Sequence, residues 1–252
     1  MPNKSESTIV FGLDVGGTGI KGAPVDVRAG TLTAERYRVR TPHPATPKNV
    51  SRTVKEVVDH FGWSGPLGCT FPAVIKNGVS LTAANVDKRW VGNDVASTFA
   101  DAIGTTVTVI NDADAAGIAE MRFGAGKGRR GVVVMLTLGT GIGSGLFLDG
   151  ELVPNSELGH IEIDGRDAEK RAAANVRDDE HLSWKRYASR VQRYIEHLDA
   201  LLWPDLVIIG GGVSRKAVKL LPHIDVRPEV VPAMLQNGAG IVGAALAASA
   251  SR

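Results

Sequence analysis

Cysteine is almost missing from this 252-residue chain, which carries only Cys69. A single thiol excludes an intrachain disulfide and a zinc centre built on several thiolates. Long apolar runs are missing too, and none approaches the roughly 20 residues that span a bilayer. The opening Met-Pro-Asn-Lys-Ser-Glu-Ser is polar and has no secretory core, so a cytoplasmic protein without a membrane partner is expected. Charge of one sign is scarce: a net +2 is too small a field to argue for nucleic acid, and any polyanion site must be a local cluster of bases. The Walker pattern G-x-x-x-x-G-K-[ST] does not occur. With 43% hydrophobic and 22% charged residues, the composition is that of a soluble globular protein, with length for one large domain or two small ones.

Glycine is what the chain has in abundance, and its placement organises the rest. The apolar run Val132-Val-Val-Met-Leu136 reads as a buried strand and leads into Thr137-Leu-Gly-Thr-Gly-Ile-Gly-Ser-Gly145, then Leu146-Phe-Leu and an Asp149-Gly150 turn. That is strand, glycine turn, strand. Four glycines between 139 and 145 strip the backbone of Cβ atoms, and successive N–H groups of such a turn can point at one anion. The same grammar opens the chain: Ile9-Val-Phe-Gly-Leu-Asp14 enters Val15-Gly-Gly-Thr-Gly-Ile-Lys-Gly22 and continues into a strand-like Ala23-Pro-Val-Asp-Val27. Two copies of one device predict a duplicated unit with a phosphate-rich ligand between the halves. Gly17–Gly22 and Gly126–Gly131 both match G-x-G-x-x-G, but a dinucleotide fingerprint must open a helix, and a hairpin follows here.

Between the glycine turns the pattern alternates strands with helices, which predicts an α/β layer structure. Leu32–Thr41 alternates like a strand with basic residues on its outer face, and Pro42, Pro44 and Pro47 end it. Val50, Val54, Val57, Val58 and Phe61 form a helical stripe. Asp94 can cap a helix carrying Val95, Phe99 and Ile103. The strand Thr106–Ile110 ends at Asn111-Asp112-Ala113-Asp114, and Ala115–Phe123 reads as the next helix. Carboxylates at the end of a parallel strand sit where open α/β sheets place their chemistry; helix capping is the plainer role for Asp112 or Asp114. Gly124–Gly131 is a basic loop with Lys127, Arg129 and Arg130, either a phosphate contact or a solvated surface. Asn155-Ser-Glu157-Leu-Gly-His160 follows the second hairpin; 164–177 is charged and weakly patterned; Trp184–Leu202 is helical; Asp205–Ile209 is a buried strand entering Gly210-Gly-Gly-Val-Ser214; and the Ala/Gly-rich segment from Ala239 is a helix made for close packing.

Five of these segments, in order, resemble the signature segments of the ROK family of sugar kinases and repressors: Leu13–Gly22, Asn111–Gly117, Leu136–Gly145, Glu157–His160 and Gly210–Ser214. The likeness implies a two-domain, duplicated actin/hexokinase-like (ribonuclease H-like) α/β fold with an interdomain cleft. Residues 1–110 would form the small domain, 111–238 the large one, and a helix over 239–252 would return to the first. The short members, which phosphorylate glucose and in some cases mannose with inorganic polyphosphate and often ATP, resemble this chain most. It shares their length, lacks the cysteine cluster that binds zinc in many relatives, and is basic before the second glycine turn.

That resemblance implies roles residue by residue. Asp112 is the general base; Asn85, Asn111, Glu157 and His160 join it in holding the sugar. Asp14, Gly16, Gly17, Thr18, Gly19 and Lys21 hold phosphate from one side; Thr137, Gly139, Thr140, Gly141 and Gly143 hold it from the other, with Lys127, Arg129 and Arg130 along a longer phosphate chain. Asp14 also organises Mg²⁺ through water, Gly211 and Gly212 receive the nucleotide, and no zinc site is expected. Relatives carry a sugar-binding glutamate before an aromatic-alanine pair, and Lys185 in Trp184-Lys-Arg-Tyr-Ala188 takes its place, which implies looser hydroxyl selectivity. The family also implies a homodimer. Its other branches supply the alternatives: an ATP-only kinase for another sugar such as N-acetylmannosamine, or a non-catalytic sugar-responsive regulator, for which no DNA-reading helix precedes the first strand.

Overall fold

The computed structural model describes residues 8–83 and 86–250 and divides into two compact units. One runs to Ala115 and takes up the chain again at Gly238; the other is Ala116–Asn237.

The first unit opens on β1 (Ile9–Val15), which turns back into β2 (Gly19–Asp26) with Val15 opposite Ile20. Two short strands, β3 (Thr31–Leu32) and β4 (Tyr37–Arg40), pair with the outer edge of β2. The single strand predicted across Leu32–Thr41 is broken by a shift of two residues in its register on β2, with Leu32 opposite Val25 but Tyr37 opposite Gly22. Helix α1 (Pro47–His60) starts at a Thr46 cap that accepts from the Asn49 N–H, with proline in its first turn. Then come β5 (Leu67–Phe71), parallel to β1, and a small hairpin of β6 (Ile75–Lys76) and β7 (Val79–Ser80). Its turn residues Asn77 and Gly78 both have positive φ, as a type I′ turn requires. Helix α2 (Val95–Ile103) is capped by Asp94 as expected, and β8 (Val107–Asn111) lies parallel to β5. The sheet order is β3-β2-β1-β5-β8, with β4 also on β2.

Helix α3 (Asp112–Phe123) leads from this unit into the second. There β9 (Val132–Leu138) and β10 (Ile142–Leu148) form the second glycine hairpin, extended by β11 (Glu151–Val153). The charged stretch that carried no sequence pattern holds a small hairpin, β12 (Glu162–Ile163) with β13 (Arg166–Asp167), and two short helices, α4 (Glu169–Ala172) and α5 (Ala174–Asp179). Elements so short bury too little to leave a periodic signal. Helix α6 spans Trp184–Leu202, matching its predicted bounds. Then β14 (Leu206–Gly211) runs parallel to β9, followed by α7 (Ala217–Leu220) and β15 (Glu229–Pro232), parallel to β14. The order β11-β10-β9-β14-β15 repeats that of the first unit strand for strand, the duplication read from the paired glycine turns.

Each sheet buries both faces. In the first unit Phe11, Leu13 and Val15 alternate toward Val50, Val54 and Val57 of α1 and Val95 and Phe99 of α2. The opposite face takes α8 (Ala239–Ala250), which packs on β1, β5 and β8. A Cβ at Gly12 or Gly68 would collide with the carbonyls of Ile241 and Ala244, so glycine there lets helix and sheet backbones touch. In the second unit Val134, Leu136 and Leu138 of β9 meet Tyr187, Val191, Tyr194 and Leu198 of α6. Among the described residues no helix is long and apolar enough to cross a membrane.

Candidate active site

The first glycine turn is held from three sides. The Gly16 N–H donates to the Gly19 carbonyl at 3.0 Å, and the Thr41 hydroxyl donates to the Gly16 carbonyl at 2.6 Å. The Arg38 guanidinium lies on the turn, donating to the Thr18 carbonyl at 3.1 Å. Gly16 and Gly17 stay half-buried and Thr18 exposed. Asp14, one residue before the turn's last strand residue, is fixed by the Thr70 hydroxyl at 3.0 Å and by Lys21 Nζ at 2.9 Å. The first turn of α8 closes over it: a Cβ at Gly240 would stand 2.7 Å from its Oδ2. Negative charge at a helix N-terminus is favourable.

At the end of β8 the roles of two neighbours separate. The Asn111 Oδ1 accepts from the N–H groups of Ala113 (2.8 Å) and Asp114 (3.1 Å), and its Nδ2 donates to the Ala73 carbonyl at 3.1 Å. Asn111, buried, is therefore the helix cap, and α3 starts at Asp112 rather than at Ala115 as the sequence predicted. One amide hydrogen of Asn111 remains for a ligand. Asn111 thus takes most of the capping, while the Asp112 Oδ1 also accepts from the Ala113 N–H at 3.0 Å. Asp112 is exposed in the first turn of α3, while Asp114 is buried.

In the second unit Gly139, Thr140 and Gly141 connect Leu138 to Ile142, with the Gly139 N–H donating to the Gly141 carbonyl at 3.0 Å and the Asn175 N–H to Gly139 at 3.2 Å. Thr137 and Gly143 face one another across the hairpin. Gly211 and Gly212 are exposed at the end of β14, level with Leu138 on the neighbouring strand. Lys127, Arg129 and Arg130 are not brought to this turn. They precede β9, whereas the turn follows it, and a seven-residue strand separates them by roughly 20 Å. Arg129 holds Glu229 at 2.8 Å and Arg130 the Asp149 carbonyl at 3.4 Å. All three side chains are exposed on the surface.

Glu157 and His160 lie side by side, with Nε2 3.7 Å from the carboxylate. The Ser144 hydroxyl anchors this segment, donating to the Ser156 carbonyl and accepting from the Leu158 N–H at 2.9 Å. The other ring nitrogen, Nδ1, lies 3.3 Å from Asp167. Burial raises the Glu157 carboxyl above its usual value; His160 pulls it down and Glu169 adds to the rise. Glu169 is the residue that sequence reasoning missed. Its carboxylate lies against the second glycine turn, 2.7 Å from where a Gly141 Cβ would be, and His160, Asp167 and Glu169 bring one ligand atom each within 4.8 Å of one another. Glu169 is a carboxylate beside His160, and Lys185 sits exposed on the first turn of α6. The signal available was Asp164-Gly165, a turn pair with positive φ, which folds Asp167 and Glu169 back toward His160. Asn85 lies outside the described residues.

A duplicated α/β plan, with a glycine turn in each half and a carboxylate at the end of a parallel strand, defines a phosphate-handling protein of the actin/hexokinase-like class. The chain belongs to the ROK family, which matches residues 10–174. It is 52% identical over 241 residues to the polyphosphate glucokinase of Mycobacterium tuberculosis (strain CDC 1551 / Oshkosh), covering 95% of this chain and 91% of that one. It resembles the crystal structure of the inorganic polyphosphate/ATP-glucomannokinase from Arthrobacter sp. strain KM with a TM-score of 0.94 and 49% identity, covering 98% of this chain and 100% of the other. The ROK family glucokinase from Streptomyces griseus, solved with glucose and AMPPNP, gives a TM-score of 0.82 at 25% identity, over 96% and 99% of the two chains.

Proposed function

We propose that the protein transfers the terminal phosphoryl group of inorganic polyphosphate, and of ATP, to the 6-hydroxyl of glucose and of mannose. The observation that carries this is the likeness, over nearly the whole chain, to a polyphosphate glucokinase and a polyphosphate/ATP-glucomannokinase. The local chemistry fits. Asp112, exposed beside the Asn111 cap, takes the proton of the 6-hydroxyl as that oxygen forms its bond to phosphorus. The bond from phosphorus to the bridging oxygen breaks, and the shortened polyphosphate or ADP leaves with the electron pair. Phosphoryl transfer relies mainly on alignment and charge stabilisation, and the backbone N–H groups of the two glycine turns supply donors at fixed positions. Glu157, His160 and Glu169 offer acceptors and a donor to sugar hydroxyls, with Asn111 contributing its remaining amide hydrogen; Gly211 and Gly212 are assigned to the nucleotide.

Magnesium belongs to the same reading. Asp14, its oxygens already engaged by Thr70 and Lys21, fits an ion that keeps most of its water and shares phosphate oxygens. Bound there, the ion neutralises phosphate charge. A cytoplasmic homodimer completes the proposal, and sedimentation at twice the chain mass tests its oligomeric part.

The deciding experiment is sugar 6-phosphate formation with glucose or mannose and either donor. Turnover with polyphosphate is expected, and Asp112→Asn should reduce it by roughly 10²- to 10⁴-fold. Turnover with ATP alone would leave the base and the fold standing and remove the polyphosphate donor.

A further inference from the structure

The basic alternation in β4 is a sequence pattern that the reaction has not used, and the sheet places it beside the first glycine turn. Thr70, Asp14, Lys21 and Arg38 lie opposite one another across β5, β1, β2 and β4, and Arg40 stands opposite Gly19. Tyr37 and Val39, on the other face of β4, pack on the core, so Arg38 and Arg40 share the exposed face. Lys21 is paired with Asp14 at 2.9 Å. Arg129, Arg193 and Arg227 hold carboxylates, whereas no carboxylate pair is formed by Arg38 or Arg40 among the described residues. Like charges directly opposite, as Lys21 and Arg38 are, destabilise a strand pair. The chain nevertheless presses the Arg38 guanidinium onto the turn, so close that a Cβ at Gly19 would stand 2.5 Å from its Nε.

We infer that Arg38 and Arg40 form a subsite for the phosphates of a polyphosphate chain beyond those seated on the Gly16–Gly19 turn. The subsite rests on the donor proposed above. Arg38 lies on the turn itself, one hydrogen bond to Thr18 fixing its plane while its remaining N–H groups are available to phosphate oxygens. Arg40, two residues along the same strand face, continues the row by roughly 7 Å. A short donor such as ATP ends before this row is filled; a long inorganic chain occupies all of it. The arginines therefore act on donor length, and they replace Lys127, Arg129 and Arg130 as the basic cluster adjoining a phosphate turn.

The test compares wild type with Arg38→Met, Arg40→Met and the double variant. The Arg38 change can disturb the turn it packs on; Arg40 is exposed, and its variant keeps the question open to measurement if the first misfolds. The ratio of kcat/KM for long-chain polyphosphate to that for ATP should fall about threefold with Arg40→Met and about tenfold in the double variant. The salt dependence of polyphosphate KM should become shallower by about one unit of log–log slope per arginine removed. Equal losses with both donors, or no loss, would overturn the subsite. If wild type does not turn over polyphosphate at all, the proposed donor fails separately, and calorimetric binding of long-chain polyphosphate against tripolyphosphate by the same variants still decides the row. A single-stranded DNA oligonucleotide bound as tightly through the same arginines would overturn it too, marking a general polyanion surface.

Discussion

Asn111 and Asp112 show how much adjacent residues can differ in role. Both were legible as a polar end to a strand, but which one capped the helix depended on where the first turn of α3 began. Three hydrogen bonds settle it: two into Asn111 Oδ1 and one from its Nδ2 to Ala73. Glu157 carries a testable consequence of its own. Its carboxyl is raised by burial, with His160 opposing and Glu169 adding to the rise. The ionised form is the one that accepts a sugar hydroxyl, and it is lost as pH falls through the raised value. The KM for glucose should therefore climb on acidification at a pH above the ordinary glutamate range. Glu157→Gln should raise KM about tenfold at neutral pH and flatten that climb; a wild-type KM that stays level down to ordinary glutamate values would contradict the assignment.

At the scale of elements, strands and helices with strong periodicity were read correctly, including α1, α6 and both glycine hairpins. The misreadings fell where the pairing register shifts within an alternating run, as between β3 and β4, or where the element is too short for any pattern, as between β12 and α5. Helix α8 was legible as a packing helix from its alanines and glycines, yet its partners were not. Gly68 lies under the Ala244 carbonyl, and both backbones are held, one in the sheet and one in the helix. Gly68→Ala should destabilise the protein by roughly 1–3 kcal/mol, seen as a lowered denaturant midpoint with an unchanged slope. A midpoint within error of wild type would show that α8 yields easily.

Across the whole molecule one plan is used twice, β3-β2-β1-β5-β8 and β11-β10-β9-β14-β15, and the lone thiol reports on one copy. Cys69 is buried in β5 and its Sγ contacts the Thr70 carbonyl at 3.2 Å. Burial pushes the thiol well above its ordinary value, and Asp14 adds to the push. A thiol reagent should thus label native protein only at the rate at which the first unit opens, and glucose at saturating concentration should slow it. Immediate labelling would mean that β5 is not closed in by α8 and the helices on its other face.

The amino-acid sequence by itself determined the repeated hairpin device, the order of the motifs and the residues with chemistry to offer, because glycine turns, apolar periodicity and capping residues act over a few neighbours. Only the tertiary structure decided which charges meet. Lys127, Arg129 and Arg130 are close in sequence to the second turn yet at the far end of its strand, while Arg38 is remote from Thr18 in sequence and bonded to it across β2 and β4. Glu169 joins Glu157 and His160 by way of a hairpin too small to announce itself. Pairing between strands sets such neighbours, and register depends on the whole sheet and what packs on its two faces, which no local pattern encodes.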